Sequence, residues 1–346
     1  MRIEDSTLRE RVLSVLQAMT EQSFDSDPSV WEEWWAENGS KWPLPATPVP
    51  TRTATATPQP TATPQPTATP QPTATLTAKP EIISTSAYVK FTDEKGGEMI
   101  LIPAGLFEMG SKADSGLSPR EESLRYVYLP GYYIDVYEVT NSMFAKFVEE
   151  TGYNTLAEKE GWGYTMGINR PEEVTGADWK HPRGPGSSLD ELENHPVVQV
   201  GWDDALAYCA WRGGDLPTEE QWEKAARGTD GRIYSWGDTF DSSLLNFCDK
   251  SCPAFGISEK SADDAYKYTA PVGSFPSWAN PYGLFDMIGN VSEWVYGQYE
   301  YWTSETHITR GGGWDSRSRY YFAAQLNYHS LDYRSSGIGF RCVRMP

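Results

Sequence analysis

The chain is 346 residues long, and its 48 Asp and Glu outnumber its 29 Lys and Arg to give a net charge of −19. No basic stripe is left to neutralise phosphates, which excludes a nucleic-acid reader; the surplus acids instead suit a hard cation such as calcium. Fourteen Trp and twenty Tyr beside thirty Gly point to a loop-rich fold packed on aromatic rings.

Residues 1–45 read as a short helical N-terminal segment. Leu8, Val12, Leu13, Val15, Leu16 and Met19 fall near one face of a helix over 5–21, and Trp31 to Trp42 sets four tryptophans in a polar frame. So short a piece rarely folds alone; it is either a helix that docks on another module or a loosely ordered tail. Its start is too charged for a secretory signal, and no run in the chain is apolar enough for a membrane span, so a cytoplasmic location follows by default. From Ala46 to Pro80 the unit Pro-Thr-Ala-Thr-Pro-Gln recurs. Proline at that density cannot pack a core, so residues 46–85 are expected to be a disordered, semi-rigid polyproline II linker joining parts that move separately.

Residues 86–346 read as one domain. Met99–Ser111 suits two short strands turning at Pro103-Ala104-Gly105, and Tyr132–Asn141 alternates as a strand. Thr140 then caps a helix with Met143, Phe144, Phe147 and Val148 on one face. Gly152–Asn194, rich in Gly, Pro and Trp, reads as a long packed loop. Asp203 starts a helix that stops at Gly213-Gly214, and Thr218 with Gln221 forms a capping box for another that ends at Gly228. Asn246–Cys252 and Asp263–Phe275 are loops rich in oxygen ligands.

The tail is different. From Arg310 to the C-terminus there is no Lys and no Glu, and between Trp314 and Gly337 the chain runs DSRSRYYFAAQLNYHSLDYRSS. Tyr offers large contact area for two rotatable bonds, while Ser and Asn adapt their hydrogen bonds. Glycine-punctuated flanks around such a stretch read as a scaffold presenting a contact face, against the plainer reading of a Tyr-rich surface loop.

Seven ordered motifs, IPAGLFEMGS, YYIDVYEVTNSMFAKFV, HPVVQVGWDDALAYCAWRGGDLPTEEQWEKAARG, TAPVGSF, YGLFDMIGNVSEWV, RGGGW and GIGFRC, closely resemble the formylglycine-generating-enzyme (sulfatase-modifying factor) family across residues 88–346. The resemblance implies an α+β, C-type-lectin-like fold. Catalytic members of that family oxidise a substrate cysteine with copper held by two thiolates just after the RGG motif, because Cu(I) requires soft ligands. No cysteine occurs here between Gly311 and Arg341, so no copper and no oxidase chemistry are expected. The four histidines (His181, His195, His307, His329) lack metal-ligand spacing, and His195 reads as structural. The same fold serves the variable proteins of diversity-generating retroelements, whose variable region lies between RGG-W and GFR. Mutating the adenines of Asn codons there yields Tyr, Ser, Asp, His, Phe, Leu and Arg without needing Lys, Glu, Trp or Met. Asp315–Ser336 contains none of those four. This chain resembles such a protein, with its variable region at 310–344.

The resemblance implies a binding face of Asp315, Ser316, Arg317, Tyr320, Tyr321, Phe322, Gln325, Asn327, Tyr328, His329, Ser330, Tyr333, Ser335 and Ser336, with Ala323, Ala324 and a paired Asp332 and Arg334 as framework. A protein ligand is expected first, carbohydrate second. It also implies structural calcium on two sets of ligands. One is Asn246, the Phe247 carbonyl, Asp264 and the Tyr266 carbonyl; the other is Asp286, the Gly289 and Val291 carbonyls and Glu293. Hard calcium takes such mixed carboxylate and carbonyl oxygens, although the same acids could simply cap turns. Cys209 and Cys342 match a disulfide of secreted relatives, and in a reducing cytosol they are expected as neighbouring buried thiols. For Cys248 and Cys252, a strained disulfide, a weak metal pair and plain thiols all stay open.

Overall fold

The computed structural model describes residues 89–111, 124–168, 170–253, 259–276, 280–298, 306–316 and 321–346. The expected N-terminal helix, the Pro/Thr linker, and Arg317 and Tyr320 of the tail lie outside these residues.

The first sheet takes strands from both ends of the domain. It holds β1 (Lys90–Thr92), β2 (Glu98–Ile102), β5 (Tyr132–Asp135) and β12 (Val343–Arg344) in the order β1-β2-β5-β12. As expected, a strand follows the Pro103-Ala104 break, but β3 (Gly105–Met109) leaves that sheet and pairs instead with β4 (Arg125–Leu129). Proline has no N–H to give a ladder, and the chain changes partner there.

Helix α1 (Asn141–Thr151) begins as its sequence dictates. The Thr140 side chain accepts from the Met143 N–H, Gly152 ends the helix at φ 67°, and Phe144 and Phe147 are buried. The stretch after it is not the long loop its composition suggests. It contains α2 (Leu156–Glu160), opened by a reciprocal Thr155–Glu158 capping box, and a hairpin of β6 (Trp162–Met166) and β7 (Pro171–Thr175). The Thr-x-x-Glu box is a local signal strong enough to set a helix among glycines and prolines. Helix α3 (Trp202–Trp211) starts one residue before Asp203, because the Asp204 carboxylate accepts the Gly201 N–H. Helix α4 (Glu219–Arg227) has the expected Thr218–Gln221 box and ends at Gly228.

The C-terminal sheet, in the order β10-β9-β8-β11, is built from β8 (Ser292–Gln298), β9 (Thr306–Arg310), β10 (Asn327–Ser330) and β11 (Ile338–Gly339). Two buried clusters adjoin it, and the consecutive β8 residues Trp294 and Val295 belong to different ones. One joins the first sheet to α4 through Ile100, Ile134, Trp222 and Val295. The other packs α1 on α3 through Phe144, Phe147, Tyr208, Trp294 and Phe340. Burying so many large rings supplies the apolar area that short strands and helices lack on their own.

Cys209 of α3 and Cys342 before β12 are near and buried, as expected, but bonded to one another rather than held as thiols, with Cα atoms 5.5 Å apart. Cys248 and Cys252 are also bonded, with Cα atoms 5.0 Å apart. One bond thus ties α3 to the C-terminal strand of the first sheet and the other closes a loop.

Candidate binding face and cation sites

The tail between RGGGW and GIGFR is held from below by three arginines. Arg310 donates to Glu223 at 3.0 Å and to the Ala323 carbonyl at 3.0 Å. Arg334 pairs with Glu160 at 2.7 Å and donates to the Trp162 carbonyl. Arg341 holds Glu293 at 2.7 Å and also reaches the Asp135 and Phe285 carbonyls. All three guanidiniums are buried, Arg334 and Arg341 completely. A forked, permanently charged donor is suited to pinning several acceptors at once. The expected Asp332–Arg334 carboxylate pair does not form: Arg334 takes only the Asp332 backbone carbonyl, and the Asp332 side chain accepts from Ser330.

Small residues and one tyrosine complete the frame. The Trp314 indole N–H donates to the Ser336 carbonyl at 2.8 Å. The Tyr321 hydroxyl lies 2.7 Å from the Ser316 carbonyl and accepts from the Cys248 N–H. A Cβ on Gly337 would meet the Asp315 carboxylate at 2.4 Å, so glycine is needed for that close approach. Burial pushes the Asp315 carboxyl up to about 6.

The expected face divides into two populations. Tyr321, Gln325, Ser335 and Ser336 are buried, at 0%, 7%, 3% and 4% exposure. They belong to the frame: the Tyr321 hydroxyl is held by the Gly313 and Ser316 carbonyls and the Ser336 carbonyl by the Trp314 indole. Tyr328 and Ser330 are exposed, and Asp315, Ser316, Phe322, Asn327, His329 and Tyr333 are half-buried. Alternation along β10 produces this, Asn327 and His329 leaning inward while Tyr328 and Ser330 point out.

Neighbouring aromatics that sequence reasoning missed extend the face. Tyr164 stacks on Tyr333 at 4.9 Å and Tyr333 on His329 at 4.4 Å. On the other flank Phe322 meets Tyr234, which stacks on Trp236 at 5.2 Å. The signal was there in the aromatic, Gly- and Asp-framed run Tyr234-Ser-Trp-Gly-Asp-Thr-Phe240.

His329 sits against Trp294 with its ring 3.0 Å from the Thr309 hydroxyl, and burial pushes it down to about 4. A free histidine titrates near 6.5, so the unfolded chain takes the proton first. The stabilisation is complete above pH ~6.5 and is lost as pH falls towards about 4, for up to about 3 kcal/mol. The difference in unfolding free energy between the protein and His329→Gln should therefore shift by that amount between pH 7 and pH 4. A difference that does not change with pH would count against a buried neutral imidazole.

Known proteins of three kinds resemble this chain. Residues 85–346 match the family described as sulfatase-modifying factor enzyme 1-like domain. The chain belongs to that family. It is 35% identical over 289 residues to the formylglycine-generating enzyme of Thermomonospora curvata, covering 72% of this chain and 93% of that one. It is equally 35% identical over 269 residues to the inactive C-alpha-formylglycine-generating enzyme 2 of Bos taurus, covering 71% and 87%. Among solved structures, Treponema denticola variable protein 1 superposes with TM-score 0.52 at 19% identity, over 75% of this chain and 99% of that one. The fold is therefore the C-type-lectin-like one expected for a sulfatase-modifying factor domain. Active and inactive relatives are equally similar, so overall identity does not decide activity within the family.

Among the described residues no group of three or more His, Cys, Asp or Glu is placed to hold a metal ion, and the residues expected as calcium ligands already make contacts of their own. In the first expected set, the Asp264 carboxylate accepts the Phe247 and Tyr266 N–H groups at 2.9 and 2.8 Å, and burial pushes it up to about 6. Asn246 is buried with its Oδ1 lacking any hydrogen-bond partner, while its Nδ2 donates to the Tyr268 carbonyl and to Asn290. Both Asp264 oxygens thus already accept backbone N–H groups, and the Tyr266 carbonyl accepts from the Ser251 hydroxyl at 2.8 Å. In the second, Asp286 adopts φ 54° and accepts the Gly273 N–H. Glu293 is already the counter-ion of Arg341 and accepts from the Trp222 indole, leaving it less free than a dedicated ligand. Glu138, which sequence reasoning missed, joins this cluster. It is buried, accepts from Asn290 at 2.6 Å, and is pushed well up by burial and by the Asp286 and Glu293 charges. Three carboxylates thus share one guanidinium. The clue was an acid inside the apolar alternation of Tyr132–Val139.

Proposed function

We propose that this chain is a non-catalytic, ligand-binding member of the sulfatase-modifying factor family that displays a diversifiable C-terminal surface, in the manner of retroelement variable proteins. One observation carries the reading. Between Arg310 and Arg341, both locked in buried ion pairs, the chain holds Tyr, Ser, Asn and His but no thiol. Recognition would come from Phe322, Asn327, Tyr328, His329, Ser330 and Tyr333, whose identities change while the arginine frame holds the backbone. Tyr-rich contacts favour a protein surface as ligand, with carbohydrate second, and the N-terminal segment would tether the reader to another module.

The competing reading, a formylglycine-generating or related sulfur oxidase, draws support from the 35% identical enzyme of T. curvata. Against it, all four cysteines are held in disulfides, so no thiolate pair is available for soft copper in this state. Disulfides persist in oxidising compartments and not in a reducing cytosol. Copper-dependent oxygen consumption with a cysteine-containing peptide would decide for the enzyme.

The display reading makes its own demand on stability. Replacing the exposed Tyr328 and Ser330 together by His and Asp, respectively, should leave the unfolding free energy within about 1 kcal/mol. Tyr321→Ala should cost about 3–5 kcal/mol, as a fully buried ring does. Urea unfolding of the two proteins separates face from frame, and equal losses would remove the distinction. In the genome, sibling genes should differ at the face codons beside a reverse transcriptase and an inexact repeat.

Calcium is proposed as a structural ion on Asn246, Asp264 and the Phe247 and Tyr266 carbonyls. Saturating calcium at 100 times its dissociation constant adds about 2.7 kcal/mol to a folded state that alone binds it. Melting of protein stripped with chelator should therefore rise by several degrees when calcium is restored, and Asp264→Asn should abolish the rise. Melting that ignores both chelator and calcium would rule this out.

A further inference from the structure

Three large apolar side chains stay exposed together on the outer face of the β3–β4 hairpin: Leu106 at 59%, Tyr126 at 72% and Tyr128 at 60%. The register sets Leu106 opposite Tyr128 and Glu108 opposite Tyr126, so alternation turns these four outwards while Phe107 and Met109 are buried on the other side. The hairpin is a sheet of two strands, and among the described residues the far edge of β4 faces no third. No backbone N–H or C=O of Arg125–Leu129 pairs with described backbone outside the hairpin. Edges of this kind are ordinarily closed to a further strand by Lys, Pro or a bulge. β4 reads Arg-Tyr-Val-Tyr-Leu, without Lys or Pro, and its register with β3 is unbroken. Its one charge, Arg125, stands at the first position and pairs with Glu220 of α4 at 3.5 Å.

Charge and symmetry together choose the occupant of this edge. In a chain of net charge −19, β3 and β4 carry one acid, Glu108, and one base, Arg125. Charges further off than about 8 Å are largely screened at physiological salt, so an approaching strand meets a neutral surface on which a strongly basic or acidic partner gains nothing. A second copy, repelled elsewhere by the surplus acid, can approach here. Tyr126 and Tyr128 flank Val127, so the centre of the strand reads alike in both directions. Laid antiparallel to itself about a two-fold axis at Val127, β4 sets Tyr126 of each copy opposite Tyr128 of the other. Aromatic residues opposed on one face are among the favourable cross-strand pairs.

We propose that β4 is a self-pairing edge, at which two copies of this chain join their hairpins into one four-stranded antiparallel sheet in the order β3-β4-β4-β3. The backbone groups left open on each β4 form the central ladder. On the outer face a row runs from Leu106 through Tyr128 to the second copy's Tyr126 and Glu108. Five residues span about 17 Å, a small contact beside the roughly 1,200 Å² at which stable interfaces begin, so the pair is reversible and forms at micromolar concentration. On the display reading a pair carries two faces and gains avidity for a repeated ligand; the pairing itself does not rest on that reading.

Sedimentation equilibrium of the full chain measures the association, and two double variants test its register. In Tyr126→Lys with Tyr128→Glu, each new ammonium group faces a new carboxylate of the other copy. In Tyr126→Lys with Tyr128→Lys, like charges face one another. Both replace the same exposed rings, and circular dichroism and urea unfolding check that both are folded. The Lys–Glu variant should associate at least tenfold more tightly than the Lys–Lys variant, although the latter has the smaller net negative charge and general repulsion would favour it. The parent should pair at micromolar concentration, more tightly as added salt screens the net charge, and Tyr328→His with Ser330→Asp should leave that unchanged. Amide hydrogen exchange should show protection gained over Arg125–Leu129 as concentration rises. A parent that stays monomeric would overturn the proposal, which is also the result expected if the edge takes a strand of another protein instead. So would equal association of the two double variants, or protection gained only outside the hairpin.

Discussion

Arg341→Met is expected to cost about 3–5 kcal/mol of stability, the loss typical of removing one partner from a buried ion pair. Arg341 is fully buried and holds both oxygens of Glu293, at 2.8 and 2.7 Å. It also donates to the Asp135 carbonyl at 3.0 Å and the Phe285 carbonyl at 2.9 Å. Methionine fills similar volume but leaves the buried Glu293 carboxylate without its guanidinium partner, next to the buried Glu138 and Asp286 carboxyls. Arg341→Lys should recover only part of the loss, because an ammonium group cannot reach a carboxylate and two separate carbonyls at once. Adding Glu293→Gln to Arg341→Met should restore some of it, since the stranded charge is gone. Urea unfolding of the parent, Arg341→Met, Glu293→Gln and the variant carrying both forms a double-mutant cycle, with Arg341→Lys measured beside it; a loss below about 1 kcal/mol in Arg341→Met would mean that the pair holds nothing in place.

How much of this was legible beforehand depended on the range of the interaction. Thr140 and Thr218 announce their helices because a cap is settled within three residues, and both work as written. The Thr155–Glu158 box is just as local, and it was masked by the glycines and prolines around it. Nothing local says that Tyr321 is core while Tyr328 faces solvent. They share a residue type and a neighbourhood, and what separates them is that Tyr321 reaches back to the Ser316 carbonyl and the Cys248 N–H. The same holds for Arg334, whose carboxylate partner is not Asp332, two residues away, but Glu160 across the domain. Composition correctly marked the tail as unusual. Assigning each side chain to face or frame required the sheet order β10-β9-β8-β11 and the hydrogen bonds of Tyr321 and Trp314.

The two disulfides should contribute very unequally, and the larger effect belongs to the one that composition made unremarkable. Cys209–Cys342 closes a loop of sequence separation 133, whereas Cys248–Cys252 spans a separation of 4. If a cross-link acts by restricting the unfolded chain, the first is worth about 5 kcal/mol and the second about 2 kcal/mol. Local structure sharpens the contrast. The Asp135 carboxylate accepts the Cys342 N–H at 2.9 Å and two bonds from Arg212 at the end of α3, so the bond locks an arrangement that the charges already favour. It fastens α3 to the strand that closes the first sheet, beside the Arg341 frame. Cys209→Ala with Cys342→Ala should therefore lower the unfolding free energy by about 5 kcal/mol, and a reductant should add little further loss beyond the second pair's share. Cys248→Ala with Cys252→Ala should cost less than half as much, while disturbing Trp314, against which that pair packs. Equal losses from the two double variants would show that loop length does not govern the stabilisation, and that strain or packing in the folded state dominates it.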